Sequence, residues 1–234
     1  MTYFHPRYLF RRYELLKMVK GGDDFLEIGP GNLHISIELL NYFEHGTLID
    51  YNPIVTEVYN RLEENHKNRL DLIIGDFNEI YLPKRKYQCV IACEVLEHIK
   101  NDYQFLEKVY YLMDDQAQLI LSVPAHRKYF TKDDEIVGHY RRYDKKDLYE
   151  ILSKSNFSDI KIISYGYPFV NLLRLGRIIL AKIKYKNSII LDQKRRSQKS
   201  SAIEISTFSN LINLIINKYT FFLCGFKLLV QQVC

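Results

Sequence analysis

The sequence predicts an α/β protein: a mostly parallel sheet with helices on both faces. Three observations carry this. Strand-like apolar runs alternate with helical patterns from residue 25 to residue 164, as in a parallel sheet wound by right-handed crossovers. The run Cys89-Val90-Ile91-Ala92 is apolar on both faces, as a buried parallel strand requires. The first run, Phe25 to Ile28, contains an acid and leads into two glycines one residue apart, Gly29-Pro30-Gly31, before a helical pattern. Such a strand, turn and helix start brings backbone N–H groups close to a nucleotide-like ligand.

The elements follow in order. Tyr3 to Val19 reads as helical over its later part, and Gly21-Gly22 stops it. Strand one is Phe25–Ile28, and a helix is expected from about Leu33 to Phe43. His45-Gly46 turns into strand two, Thr47–Asp50. Asn52 as cap with Pro53 at the first position starts a helix expected to reach about His66. Strand three is Leu70–Ile74 and strand four Tyr87–Ala92. Asn101 with Gln104 has the spacing of a capping box before a helix through Met113. Strand five is Gln118–Val123. The polar and aromatic loop from Ala125 to Tyr143 is long enough to suggest function. Asp144 starts a helix through Leu152, strand six is Ile160–Ser164, and the last strand runs from Gly225 to about Val233. A ligand is expected beyond the strand C-termini, between strands one and four.

Four segments result: a helical segment 1–22, a ligand-binding core 23–165, an insertion 166–224 and a final core strand 225–234. The first half of the insertion is basic, with Arg174, Arg177, Lys182, Lys184, Lys186, Lys194, Arg195, Arg196 and Lys199. Its second half, Ile203 to Phe222, is an apolar helical pattern interrupted by Ser206, Ser209, Asn210, Asn213 and Asn217. It therefore reads as a helical cap over the substrate side, or as an interfacial helix making peripheral membrane contact, rather than a span. The segment 187–201 is the expected disordered loop. With 234 residues, 47% hydrophobic and 26% charged, the chain can bury a full core. Net charge +5 fits an anionic small molecule, a membrane surface or nucleic acid. Four cysteines without a zinc or disulfide spacing, and charges through the first twenty residues, point to the cytoplasm.

The glycine turn lacks the dinucleotide fingerprint, because His34 stands where a third small residue is needed beside a pyrophosphate. S-adenosylmethionine has no pyrophosphate, and its demands are met. Gly29 and Gly31 allow close approach. Asp50, about twenty residues on, suits both ribose hydroxyls. Asp76 can accept from the adenine amine while Phe77 packs on the ring, and Glu27 can hold the turn and the cationic tail.

With Leu26-Glu27-Ile28-Gly29-Pro30-Gly31, Leu48-Ile49-Asp50, Gly75-Asp76-Phe77, Glu94-Val95-Leu96-Glu97-His98 and Ser122-Val123-Pro124-Ala125-His126 in this order, the chain resembles the class I S-adenosylmethionine-dependent methyltransferases. The resemblance covers about residues 23 to 165 and the last strand. It implies a Rossmann-like seven-stranded sheet whose last strand is antiparallel. It also implies cofactor contacts at Glu27, Gly29, Gly31, Asp50, Tyr51, Asp76, Phe77 and Glu94, with S-adenosylhomocysteine as product. Leu33 departs from the pattern, where members often carry a third glycine. Gly138-His139-Tyr140-Arg141-Arg142-Tyr143 looks like the subgroup acting on small molecules and on natural-product or glycan precursors. Val123-Pro124-Ala125-His126 replaces the motif used on planar nitrogens, so the acceptor atom is expected to be an oxygen, an aliphatic amine or an enolisable carbon, with oxygen the favoured one.

Methyl transfer needs in-line alignment and removal of a proton, and histidine suits a base at neutral pH. The candidates are His139, His126 and His98. Arg141 and Arg142, with Tyr143 beside them, are candidates to clamp an acceptor's carboxylate or phosphate, the alternative being ion pairs with Asp133, Asp134 or Glu135. If a helix starts near Glu94, then Glu94, Glu97 and His98 share a face. With His139 they could hold a divalent metal, as in the ubiquinone-pathway O-methyltransferases and small-RNA 3′-end ribose methyltransferases that the chain resembles; otherwise Glu94 only lines the site. The expected activity is methyl transfer to a small-molecule or glycan/lipid-linked acceptor with a histidine base. Alternatives are a metal-dependent O-methyltransferase, an RNA methyltransferase, and a non-catalytic binding protein docking through its basic cap. Nucleic acid is the less favoured partner, since the basic residues lack aromatic interleaving.

Overall fold

The computed structural model describes residues 6–82, 86–165 and 228–233. The chain divides into two compact units: Arg11–Ser164 with Lys227–Cys234, and Met1–Phe10 with Tyr165–Phe226. Of the second unit only residues 6–10 and Tyr165 are described. The expected cap 166–224, its basic stretch and its membrane contact lie outside the described residues. Among those that are described, no helix is long and apolar enough to cross a membrane.

The helices are α1 (Pro6–Met18), α2 (His34–Leu39), α3 (Val55–Asn60), α4 (Glu64–Lys67), α5 (Asp102–Leu112), α6 (Lys132–Ile136) and α7 (Lys145–Lys154). The strands are β1 (Gly22–Ile28), β2 (Phe43–Asp50), β3 (Leu70–Ile74), β4 (Tyr87–Cys93), β5 (Met113–Val123), β6 (Ser158–Ser164) and β7 (Leu228–Val233). The sheet order is β3-β2-β1-β4-β5-β7-β6. Every pairing from β3 through β5 is parallel, and β7 pairs antiparallel with both β5 and β6. Because β1 pairs with both β2 and β4, the strand order reverses there, which is where such sheets bind ligands beyond their strand C-termini.

Burial follows the hydrophobic pattern. All but one residue of β4 is buried, and α5 turns Phe105, Leu106, Val109 and Leu112 inward at helical spacing. Asn101 caps α5 by accepting from the Gln104 N–H at 3.2 Å, as its spacing predicts.

Three segments differ from the sequence reading. The first helix after the glycine turn ends at Leu39, and β2 begins at Phe43. The helix expected to be capped by Asn52 begins instead at Val55 with Ile54 as its N-cap, after a turn in which Asn52 Oδ1 accepts from the Ile54 N–H at 3.1 Å. It breaks into α3 and α4 because Arg61 and Leu62 close short turns onto Val58 and Tyr59, and Glu63 is extended. Glu94 does not start a helix. β4 continues to Cys93, Glu94 turns at φ 61°, and a single 3₁₀ turn follows at Leu96–His98.

Leu33, where relatives often have glycine, sits at φ 58° immediately before α2 and is fully buried. Left-handed backbone costs a side chain about 1–2 kcal/mol, and burying leucine returns about 1.5–3 kcal/mol. Leu33→Ala keeps the strain and loses the burial, so it is expected to lower stability by about 2–4 kcal/mol in urea unfolding. An unchanged midpoint would refute this balance.

Candidate active site

The glycine turn is shaped by backbone and by β4. Gly29 adopts φ 70°, and its N–H donates to the Ile49 carbonyl at 2.8 Å. A Cβ there would meet Val95 Cγ2 at 2.7 Å, so the turn and the segment after β4 fit only with glycine. Gly31 adopts φ 56°, and a Cβ on it would meet no atom within 4 Å. Close approach of a ligand therefore falls to Gly31, while Gly29 serves packing.

Asp50 ends β2 beside this turn. Its Oδ2 accepts from the Gly31 N–H at 3.2 Å and its Oδ1 from the Asn52 N–H at 2.9 Å. A carboxylate has about four acceptor positions, so both oxygens keep capacity for hydroxyl donors. Tyr51, next in the chain, is 80% exposed. Glu27 is buried, accepts from the Ser36 hydroxyl at 2.6 Å and thereby ties β1 to α2. Burial pushes its carboxyl up to about 7, opposed by the Ser36 hydrogen bond and the Arg11 charge.

Beyond β3, Asp76 Oδ1 accepts from the Asn78 N–H at 2.8 Å and from the Asn78 side-chain amide at 3.1 Å. Phe77 is buried edge-to-face on Phe105, with ring centroids 5.1 Å apart. Its ring backs the turn from the core. Glu94 is held by its backbone N–H on the Ser122 carbonyl and by its Oε1, which accepts from the Ser122 hydroxyl at 2.9 Å. Arg11 Nη1 on α1 lies 4.0 Å from the same oxygen, an approach that sequence spacing did not reveal.

Glu97, His98 and His139 converge, with one potential ligand atom from each within 4.8 Å of the others. Glu94 is not in this group. The Glu97 side chain is 0% exposed and its carboxylate oxygens accept no hydrogen bond among the described residues. Burial pushes its carboxyl up to about 8, moderated by its own backbone N–H, Arg11 and Arg142. His139 Nε2 lies 4.0 Å from Oε1.

The two imidazoles are each anchored through Nδ1. His98 Nδ1 is 3.2 Å from the Gly138 carbonyl, and His139 Nδ1 is 3.2 Å from Asp134 Oδ1. Each acceptor favours the proton on Nδ1, leaving Nε2 as a lone-pair donor. The rings meet edge-to-face with centroids 4.6 Å apart. Burial lowers the pKa of both, and for His139 the His98 charge adds to the effect. The Tyr140 N–H donates to the Glu97 carbonyl at 2.8 Å, tying this part of the loop to the 3₁₀ turn.

Asp134 is itself held. Arg142 donates from Nε and Nη2 at 2.7–3.0 Å, and the Thr131 N–H donates at 2.8 Å. Burial would raise this carboxyl, but these hydrogen bonds and the Arg142 charge bring it below its usual value. Arg141 pairs with Asp102 at 2.7 Å and donates to the Lys100 carbonyl at 2.6 Å. The Tyr143 hydroxyl donates to Asp102 at 2.8 Å, and burial is the main reason its pKa is raised. Arg141, Arg142 and Tyr143 thus brace the loop, and Arg142 does so on Asp134, one of the three carboxylates the sequence offered as alternative partners. His126 stands outside the convergent trio. It has φ 64°, its Nδ1 lies 3.6 Å from Asp144, and its ring meets Tyr129 edge-to-face.

The family described as "Methyltransferase domain" matches residues 2–162. Among solved structures, a Haloferax volcanii putative methyltransferase in complex with the Trm112 activator is similar at TM-score 0.62 and 15% identity. That likeness covers 95% of this chain and 87% of the other. Phosphoethanolamine N-methyltransferase 2 of Haemonchus contortus, in complex with S-adenosyl-L-methionine, is similar at TM-score 0.63 and 17% identity. Here 95% of this chain and 52% of the other are covered. At these identities the likeness is one of fold. A probable polyketide synthase 6 of Dictyostelium discoideum is 23% identical over 83% of this chain. The chain spans 8% of that relative's length. With the family match over residues 2–162, the reversal of strand order at β1, and Asp50 beside the glycine turn, the chain belongs to the methyltransferase-domain family and is an S-adenosylmethionine-dependent methyltransferase of class I, Rossmann-like fold.

Proposed function

We propose that this enzyme methylates an oxygen of a small-molecule or glycan/lipid-linked acceptor at the cluster of Glu97, His98 and His139. The observation that carries the reading is the Glu97 carboxylate, fully buried, without a hydrogen-bond donor among the described residues, beside two imidazoles anchored at Nδ1. Two imidazole nitrogens and one carboxylate suit a first-row divalent cation, and the Asp134–His139 pair supplies the outer support such ligands use. Glu97, His98 and His139 would hold the cation. A bound cation acidifies a coordinated hydroxyl. Arg142 keeps Asp134 ionised, Asp134 keeps the His139 proton on Nδ1, and Gly138 does the same for His98. On the cofactor side, Asp50 accepts from the ribose hydroxyls, Gly31 gives the backbone room, and Asp76 accepts from the adenine amine. Glu27 and Glu94, with Arg11 near them, face the charged methionine tail.

A second reading keeps the cluster metal-free, with neutral His139 as the base; the lowered histidine pKa favours it. Calorimetric titration of the purified protein with Zn2+, Mn2+ and Mg2+ separates the two. One bound cation, lost in His139→Asn, is the expected result. No binding by the wild type, with a rate rising through a single pKa below the ordinary histidine value, would assign the proton to His139. Labelled methyl recovered on amines and not on hydroxyls would overturn oxygen as the acceptor atom.

A further inference from the structure

The turn after β3 is held from outside itself, by one cation on α5. The Lys108 ammonium donates to the carbonyls of Phe77, Asn78 (3.3 Å) and Ile80 (2.7 Å). It also stands 4.8 Å over the Phe77 ring. A lysine ammonium has three protons, and three carbonyls of one five-residue turn take them. Inside the turn, the Asp76 carbonyl accepts from the N–H groups of Glu79 and Ile80, and Asp76 Oδ1 accepts twice from Asn78. This leaves Asp76 Oδ2 as the oxygen with which the turn can meet a ligand.

We propose that Lys108 is a positioning residue for recognition of the cofactor's purine. By gripping the carbonyls of residues 77, 78 and 80 it fixes where the Asp76 carboxylate stands. The inference rests on the placement of adenine at Asp76 proposed above. An ionised carboxylate only accepts hydrogen bonds, so it selects a purine bearing an exocyclic amine over one bearing a carbonyl at that position. The geometry has a second consequence. α5 lies in the crossover between β4 and β5, whereas Asp76 follows β3, so purine recognition depends on contact between two sheet connections distant in sequence. Burial lowers the Lys108 pKa and the Asp76 charge opposes this, consistent with an ammonium held close to that carboxylate.

The test compares S-adenosylhomocysteine with its deaminated analogue, S-inosylhomocysteine, by calorimetry on wild type, Lys108→Met and Lys108→Arg. Wild type is expected to favour the amine-bearing ligand by about tenfold or more, the worth of one hydrogen bond to a charged group. In Lys108→Met the preference should fall to within about threefold, and Lys108→Arg, which keeps charge and donors, should recover part of it. A merely structural lysine would lower the melting temperature and weaken both ligands equally, with the ratio preserved. That result would overturn the inference. A wild type that binds the two ligands equally would instead refute the adenine–Asp76 placement. Should Lys108→Met not fold, Lys108→Gln keeps two donors and carries the same comparison.

Discussion

Replacing Asp50 by alanine is expected to weaken S-adenosylhomocysteine binding by about 10²–10⁴-fold in calorimetric titration, the worth of two hydrogen bonds to a charged acceptor. The carboxylate has two tasks at once. It accepts from Gly31 and Asn52 and so locks the glycine turn to the end of β2, and in the proposed site its remaining lone pairs take the ribose hydroxyls. Asp50→Asn retains one acceptor oxygen but loses the charge, so an intermediate loss is expected. Asp115→Ala, a change to an exposed carboxylate near the other end of β5, should leave binding unchanged. Binding of Asp50→Ala within threefold of wild type would remove Asp50 from the cofactor site.

What could be read from residue order alone was local. Alternating apolar runs placed the strands, and Asn101 marked a helix start that the structure also has. Asp50 could be placed because the end of a strand is a position in the chain as well as in space. What could not be read depended on partners far apart in sequence. Arg11 beside Glu94, Lys108 on the turn after β3, and Arg141 on Asp102 arise only when the sheet closes. The expected Glu94–Glu97–His98 face assumed a helix, whereas a positive φ at Glu94 and a 3₁₀ turn bring Glu97 and His98 to His139 by a different route. Glu94 is thereby aimed at Ser122 instead. Asp134 stood in the sequence as one of three alternative partners for the arginines. Its capping position after Thr131 was the signal that distinguished it from Asp133 and Glu135.

Glu97→Gln separates a ligand site from an inert buried acid through the effect of a divalent cation on its pH-dependent stability and through its activity. In the folded chain burial raises the Glu97 pKa from 4.5 to about 8. Between these values the unfolded chain releases a proton that the folded chain retains, so wild-type stability must fall as pH rises across the window. Below pH 4.5 the acid is protonated in both states and costs nothing extra. Above pH 8 the full penalty applies, up to about 5 kcal/mol at about 1.4 kcal/mol per unit. Glu27, raised by burial to about 7, adds a slope of the same sign, but it is present in both proteins and cancels in the comparison. Without divalent cation, Glu97→Gln should therefore match wild type near pH 4.5 and exceed it by several kcal/mol at pH 8, less the cost of its own buried amide. A cation that binds the ionised carboxylate reverses the order, because it stabilises only the wild type. Activity runs against this gain: the variant should lose about 10²-fold or more in kcat/KM, the scale of a lost acid–base or cation contribution. Urea unfolding at several pH values, with and without cation, reads the first effect, and labelled methyl transfer reads the second. The same pH-dependent gain with no reversal by cation and with activity retained would make Glu97 a buried acid without function. A variant more stable yet inactive is what a carboxylate kept for a ligand requires, since stability given up in the free enzyme is recovered only when the site is filled.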